Sequence, residues 1–186
     1  MSAILGCAYP QHQTLAPPGL PEKIQTVPPS GYTLRPYVCV LGFSSPDMAP
    51  GMGGFAALLL HRELLRKGIP SEIRPGGLPD ENASEAGRND LCDTCGQMIT
   101  GSLRYYFEGS ELMPSRVDQE IRVTEVRASF PRILWEAGAT EISHPIPATD
   151  WIVIQTTGAA ALPAAELLRR NAEKFANMIA AAGALP

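Results

Sequence analysis

YVCVLGFSSPDMAPGMGGFAALLLHRELLRK, residues 37–67, is the stretch that decides the fold. Tyr37 to Phe43 is an uninterrupted apolar run of strand length, the pattern of a strand buried on both faces. Ser44 to Gly54 is a loop of small residues. Phe55 to Lys67 then carries a helix, with Arg66 and Lys67 in its last turn and Gly68 as its stop. A strand feeding a glycine-rich helix start is a common ligand-binding place in α/β domains, because free N–H groups there face outward.

Working outward, Ile69 to Arg74 reads as a second strand at a sheet edge, since Pro70 cannot donate to a ladder. Pro75 to Asp90 is a long polar loop. Leu91 to Ser102 is expected to be a short helix carrying Cys92 and Cys95. Leu103 to Glu108 and the alternating Val117 to Val126 are expected strands. Tyr105 and Tyr106 then point to opposite faces and form no stacking platform. Phe130 to Ala137 reads as a helical turn around Trp135. Ala139 to His144 and Trp151 to Thr157 read as strands joined through Pro145–Asp150 as a hairpin. Pro163 opens a terminal helix whose Leu168, Ala172, Phe175, Ile179 and Ala182 recur at helical spacing. The chain thus holds two strand–loop–helix units, at Tyr37 and at Trp151.

Residues 1–36 differ from the rest. They hold seven prolines, few charges and no apolar period, so they read as extended chain, either a flexible tail or an arm that lies on another surface. The expected architecture is one α/β (or α+β) domain over residues 37–186, with a mixed sheet and flanking helices, preceded by that arm.

The net charge is -4, and the stretch from Gly76 to Ala128 contributes ten acidic against five basic residues. No basic run is present, so nothing in the charge suggests a nucleic-acid partner. No run of about 18 apolar residues occurs, so no membrane span is expected. The first ten residues lack a basic segment followed by an apolar core, so no signal peptide is expected. Free thiols in a reducing cytoplasm, or in a particle assembled there, are the simplest setting for Cys7, Cys39, Cys92 and Cys95.

Two places could carry chemistry. Gly51, Gly53 and Gly54 could cradle an anionic ligand, and Thr156, Thr157 and Gly158 offer a similar turn after the Trp151 strand. Neither follows G-x-G-x-x-G, and no Lys follows as in a P-loop; a tight turn that simply needs small residues explains them as well. The second place is Cys92-Asp-Thr-Cys95-Gly96. C-x-x-C can clamp zinc, form a redox pair, or be two unlinked thiols. Zinc would need further ligands from Cys7, Cys39, His12, His61 or His144.

Together, His61-Arg62-Glu63 and Cys92-x-x-Cys95 resemble the H-x-E and C-x-x-C signature of zinc nucleobase deaminases. The resemblance implies that His61, Cys92 and Cys95 bind zinc and that Glu63 shuttles protons for a zinc-bound water. It covers two short motifs in a third of the chain. Leu91 stands where that family has proline, and His61 lies inside a helix rather than at its start. In the competing reading, His61 borders an apolar helix face and Glu63 is a solvated surface charge. Ser44 and Ser45 lack a nucleophile elbow, and His144 before Pro145 reads as structural. The leading expectation is therefore a non-catalytic structural or interaction subunit, partnered by other protein subunits and docking through the arm. The alternative is an enzyme, either zinc-dependent or binding a nucleotide or phosphorylated ligand.

Overall fold

Val38, Cys39, Val40 and Leu41 are all buried, as an apolar run without alternation requires of a strand covered on both faces. They form β1 in a computed structural model that describes residues 37–74, 95–125, 132–147, 149–151, 154–156 and 158–183. The proposed arm, the loop from Pro75 to Asp90, and Cys92 lie outside the described residues. After β1 come α1 (Met52–Arg66), β2 (Ser71–Arg74), β3 (Gln97–Phe107), β4 (Ser115–Glu125), β5 (Arg132–Ser143), β6 (Thr149–Trp151), β7 (Ile154–Thr156) and α2 (Ala164–Gly183).

Five strands make one mixed sheet in the order β2-β1-β3-β4-β5. β1 is parallel to both β2 and β3, and the remaining pairs are antiparallel. The expected α/β mixed sheet is therefore present, with β2 at its edge. Both helices cover one face. Val38 and Val40 of β1, Ile99 of β3, Val117 and Ile121 of β4, and Trp135 and Ala137 of β5 meet Leu60 and Leu64 of α1 and Leu168, Phe175 and Ile179 of α2 in one core. The alternate residues of β1, Cys39 and Leu41, cluster on the opposite face with Cys95 and Met98.

Helix α1 ends as its sequence indicates. Gly68 has φ 73°, the Gly68 N–H donates to Leu65 O, and the Ile69 N–H donates to Leu64 O at 3.0 Å. This is a Schellman closure, and it buries Ile69 against the core that holds Leu64.

Three expected elements are corrected. Leu91 to Ser102 is not a helix where it is described: from Gln97 it is the first half of β3, held by β1 on one side and β4 on the other. Phe130 to Ala137 is not a helical turn; from Arg132 it is β5, with Trp135 and Ala137 alternating toward the helices. Trp151 to Thr157 is not one strand. Ile146 bridges Ala159, Thr149 pairs Thr156, and Trp151 pairs Ile154, so the reversal comes after Trp151 and not at Pro145–Asp150. Pro145 and Pro147 lack the N–H groups that a continued β5 would need.

Helix α2 starts where Pro163 suggests, and Glu108 closes it. The Ala164 N–H donates to both carboxylate oxygens of Glu108, at 3.2 and 3.1 Å, placing a negative charge on the positive end of the helix. Glu108→Ala should lower stability by about 1 kcal/mol, read as a smaller denaturant midpoint at constant m. An unchanged midpoint would mean that this cap contributes nothing in solution.

Candidate functional site

The glycine turn leads out of β1. Gly51 has φ 81°, a conformation that L side chains rarely adopt, and it caps the start of α1. Gly53 is buried against the exit of β1: a Cβ there would lie 2.2 Å from Phe43 O and 2.7 Å from Ser44 O. Gly54 is exposed, with open space around it. The donors at this helix start are largely committed inside the chain. The Gly53 N–H donates to Ser45 Oγ at 2.7 Å, and the Met52 N–H donates to Ala49 O. Ser45 thus caps α1 from eight residues upstream, a role its local sequence does not signal. Only the outer rim, Gly51 and Gly54, faces open space.

The second glycine-containing turn is not a strand-to-helix turn. Thr156 ends β7, Gly158 precedes the bridge residue Ala159, and α2 begins only at Ala164, with Glu108 on its N-terminus. Thr157 lies outside the described residues. The correction follows from the hairpin: the chain reverses within the run that had read as one strand.

The cysteines change most. Cys95 is bonded to Cys39, with 5.6 Å between their Cα atoms, and both are fully buried beside Leu41 and Met98. Cys39 pairs with Met98 in the parallel β1–β3 ladder, so the bond lies just beyond that ladder's end. Free thiols are the wrong reading for this pair. A sulfur held in a disulfide is no thiolate ligand, so Cys95 does not serve the zinc set in this state.

His61 and Glu63 serve packing. His61 Nδ1 lies 3.0 Å from Ser71 Oγ, tying α1 to the edge strand β2. Glu63 is 6% exposed, not a solvated charge; it accepts from Arg66 at 2.8 Å, and its charge also acts on Arg169 of α2. Arg169 in turn holds Glu166 below the ordinary carboxylate range, chiefly by hydrogen bonding, and Glu166 holds Arg169 above its ordinary value. Among the described residues, no three His, Cys, Asp or Glu side chains gather as a metal set. The deaminase constellation is not assembled there.

The face opposite the helices carries a polar surface that strand alternation alone does not specify. Arg104 pairs with Glu120 at 2.8 Å, Arg116 with Asp118 at 2.7 Å, and Arg122 with Glu136. Arg116 also lies over Tyr105, 5.6 Å from the ring centroid, and Tyr105 stacks near Phe107 at 6.4 Å. Tyr106 points the other way into the core, as alternation predicts; burial, then the charge and hydrogen bond of Glu108, raise its phenol pKa. Each of these arginines has its own carboxylate, so this part of the face offers no surplus positive charge to an anion.

No family model matches the chain, and no curated protein matches it in sequence. Solved structures do match its fold. PelC of Paraburkholderia phytofirmans, a dodecamer, superposes with a TM-score of 0.55 at 13% identity, covering 83% of this chain and 93% of that one. A point variant of the same protein, also a dodecamer, gives 0.55 at 15% identity, covering 81% and 95%. The likeness is one of fold. A Xanthomonas campestris protein of the family DUF330 shares it less closely, with a TM-score of 0.50 at 8% identity, covering 87% of this chain and 94% of that one. No helix among the described residues is long and apolar enough to cross a membrane.

Proposed function

We propose that this protein is a non-catalytic subunit of an oligomeric protein assembly. The observation that carries the reading is the fold it shares with a protein that assembles as a dodecamer, over nearly all of that protein's length. Two features support it. His61, Glu63 and Cys95 are engaged in links that hold the fold together. Helix α1 also presents Phe55, Leu58 and Leu65 at the surface, in addition to its buried apolar side, as helices that pack on both sides do.

Residues 1–36 would dock on a neighbouring subunit, and a chain lacking them should stay folded while losing assembly; an unchanged mass would reject that role. The Cys39–Cys95 bond supports an oxidising compartment as the setting, in preference to the cytoplasm that composition suggests. Native mass spectrometry of the full chain tests the central reading. One discrete oligomer, held as the protein is diluted through the micromolar range, is the expected result. A monomer alone at about 100 μM, roughly a hundred times a micromolar Kd, would sink it.

A further inference from the structure

The five-stranded sheet has two edges, β2 and β5, and they are built differently. Strand β2 has 4 residues, follows Pro70 and is held to α1 through Ser71 and His61. A short strand with a proline at its start is a blunted edge. Strand β5 has 12 residues, Arg132–Ser143, with no proline and no lysine among them. Among the described residues, no strand pairs with its outer side. Such an edge is a template for another strand.

The order of side chains along β5 decides which strand it takes. Trp135, Ala137 and Ala139 face the helices, and so does Glu141, which pairs with Lys174 of α2. Trp135 pairs with Val123 and Ile133 with Thr124, so Leu134 is an extra residue and the alternation shifts by one there. Arg132, opposite Glu125, therefore also lies on the helix side, whereas Ile133, Glu136 and Ile142 lie on the other.

A second β5 laid antiparallel along the first, about a two-fold axis at Ala137, meets it face for face. Trp135 lies opposite Ala139 of the second copy, Ile133 opposite Thr140 and Arg132 opposite Glu141, with Leu134 bulged out as before. Each pair shares one side of the sheet, as a ladder requires. Arg132 thus meets a carboxylate at both ends of the contact, shared there with Lys174. Ile133 and Ile142, 51% and 45% exposed, become diagonal neighbours across it. Glu136 approaches its own copy diagonally, and each Glu136 is already held by Arg122. Residues 1–36 could supply a strand instead, but their longest proline-free run, residues 1–9, carries no charged side chain to meet Arg132 or Glu141.

We infer that β5 is a subunit contact, which pairs antiparallel with the β5 of a second copy of this chain and joins the two sheets into one. This rests on the subunit reading above and names one surface that the assembly uses. The contact is isologous, so each copy gives and receives the same groups. Main-chain hydrogen bonds along the strands hold it, and the two Arg132–Glu141 pairs select its register.

Multi-angle light scattering of the full chain should give the mass of an even number of subunits. I133D with I142D places charges on the two exposed side chains that meet, and should at least halve that mass. R132E alone and E141K alone each set like charges opposite one another at both ends, and should do the same. An equimolar mixture of these two chains should recover the wild-type mass, because every such pair is again opposite in sign. Should the double aspartate chain not fold, the two charge variants and their mixture still decide the matter. Variants that keep the wild-type mass, or a mixture that stays dissociated, overturn the contact and leave the subunit reading standing. A wild type that is monomeric throughout overturns both. A chain lacking residues 1–36 should lose only the assembly beyond this dimer; a monomer there would give the β5 edge to the arm and overturn the inference.

Discussion

Removing the Cys39–Cys95 bond will destabilise the protein by about 4 kcal/mol, on the chain-entropy account of a loop this long. The two cysteines are 56 residues apart, so the bond restricts a large part of the unfolded chain. For a chain of this size the loss corresponds to a fall of roughly 8–16 °C in melting temperature. The bond also joins two parallel strands that are not consecutive in the chain. β1 and β2 are linked through α1, whereas β1 reaches β3 only after β2 and residues 75–94. Cys39→Ala with Cys95→Ala should show the full effect. Dithiothreitol added to the folded protein should act slowly, because both sulfurs are buried and reduction has to wait for opening. Peptide mapping without reductant should recover Cys39 linked to Cys95. A double variant as stable as wild type, or a map without that link, would remove both the staple and the case for an oxidising setting.

This bond shows where sequence reasoning stops. The nearness of Cys39 and Cys95 is created by parallel pairing between strands far apart in the chain, and no local pattern encodes it. The C-x-x-C spacing drew Cys95 toward Cys92, a local pairing, while the fold gives it a distant one. His61 and Glu63 admit both a catalytic and a structural reading from sequence. Their spacing imitates a catalytic motif, yet each answers a packing need, at β2 and at the contact between α1 and α2.

Elements were legible where one period runs unbroken between clear stops. β1 is an apolar run, α1 ends on Gly68, and α2 begins after Pro163 and buries Leu168, Ala172, Phe175 and Ile179. The second halves of β3 and β5 are legible as the strands expected over Leu103–Glu108 and Ala139–His144, but their first halves are not, and a bulge breaks the alternation of each. In β3 the register shifts between Leu103 and Tyr105, so Ile99 and Leu103 face the helices before it and Tyr106 does after it. In β5, Trp135 pairs with Val123 and Ile133 with Thr124, which leaves Leu134 as an extra residue. A two-residue period applied across either strand fails at that point, and each strand then reads as a helical piece followed by a short strand.

Gly53→Ala will lower stability by about 3 kcal/mol, near the upper end of overpacking costs, with a fall of roughly 6–12 °C in melting temperature. The added methyl would meet main-chain oxygens, not side chains that can turn away: Phe43 O at 2.2 Å and Ser44 O at 2.7 Å. The Ser44 carbonyl is itself pinned, because it accepts from the Leu103 N–H at 2.9 Å while the Ser44 N–H donates to Gly101 O at 3.1 Å. Relief by moving this segment would therefore disturb its bridge to β3. Relief by moving α1 would weaken the Gly53–Ser45 bond and lift Leu60 and Leu64 from the core. Gly54→Ala is the matched control. It sits one residue along, is exposed and has nothing within 4 Å of its Cβ, so alanine there should stabilise the helix by up to about 1 kcal/mol. Opposite signs at adjacent glycines would show that Gly53 is kept for the close approach of α1 to the end of β1. Equal, small effects would mean that this approach is looser than the geometry requires, and the case for the turn as a ligand-facing element would then be the stronger one.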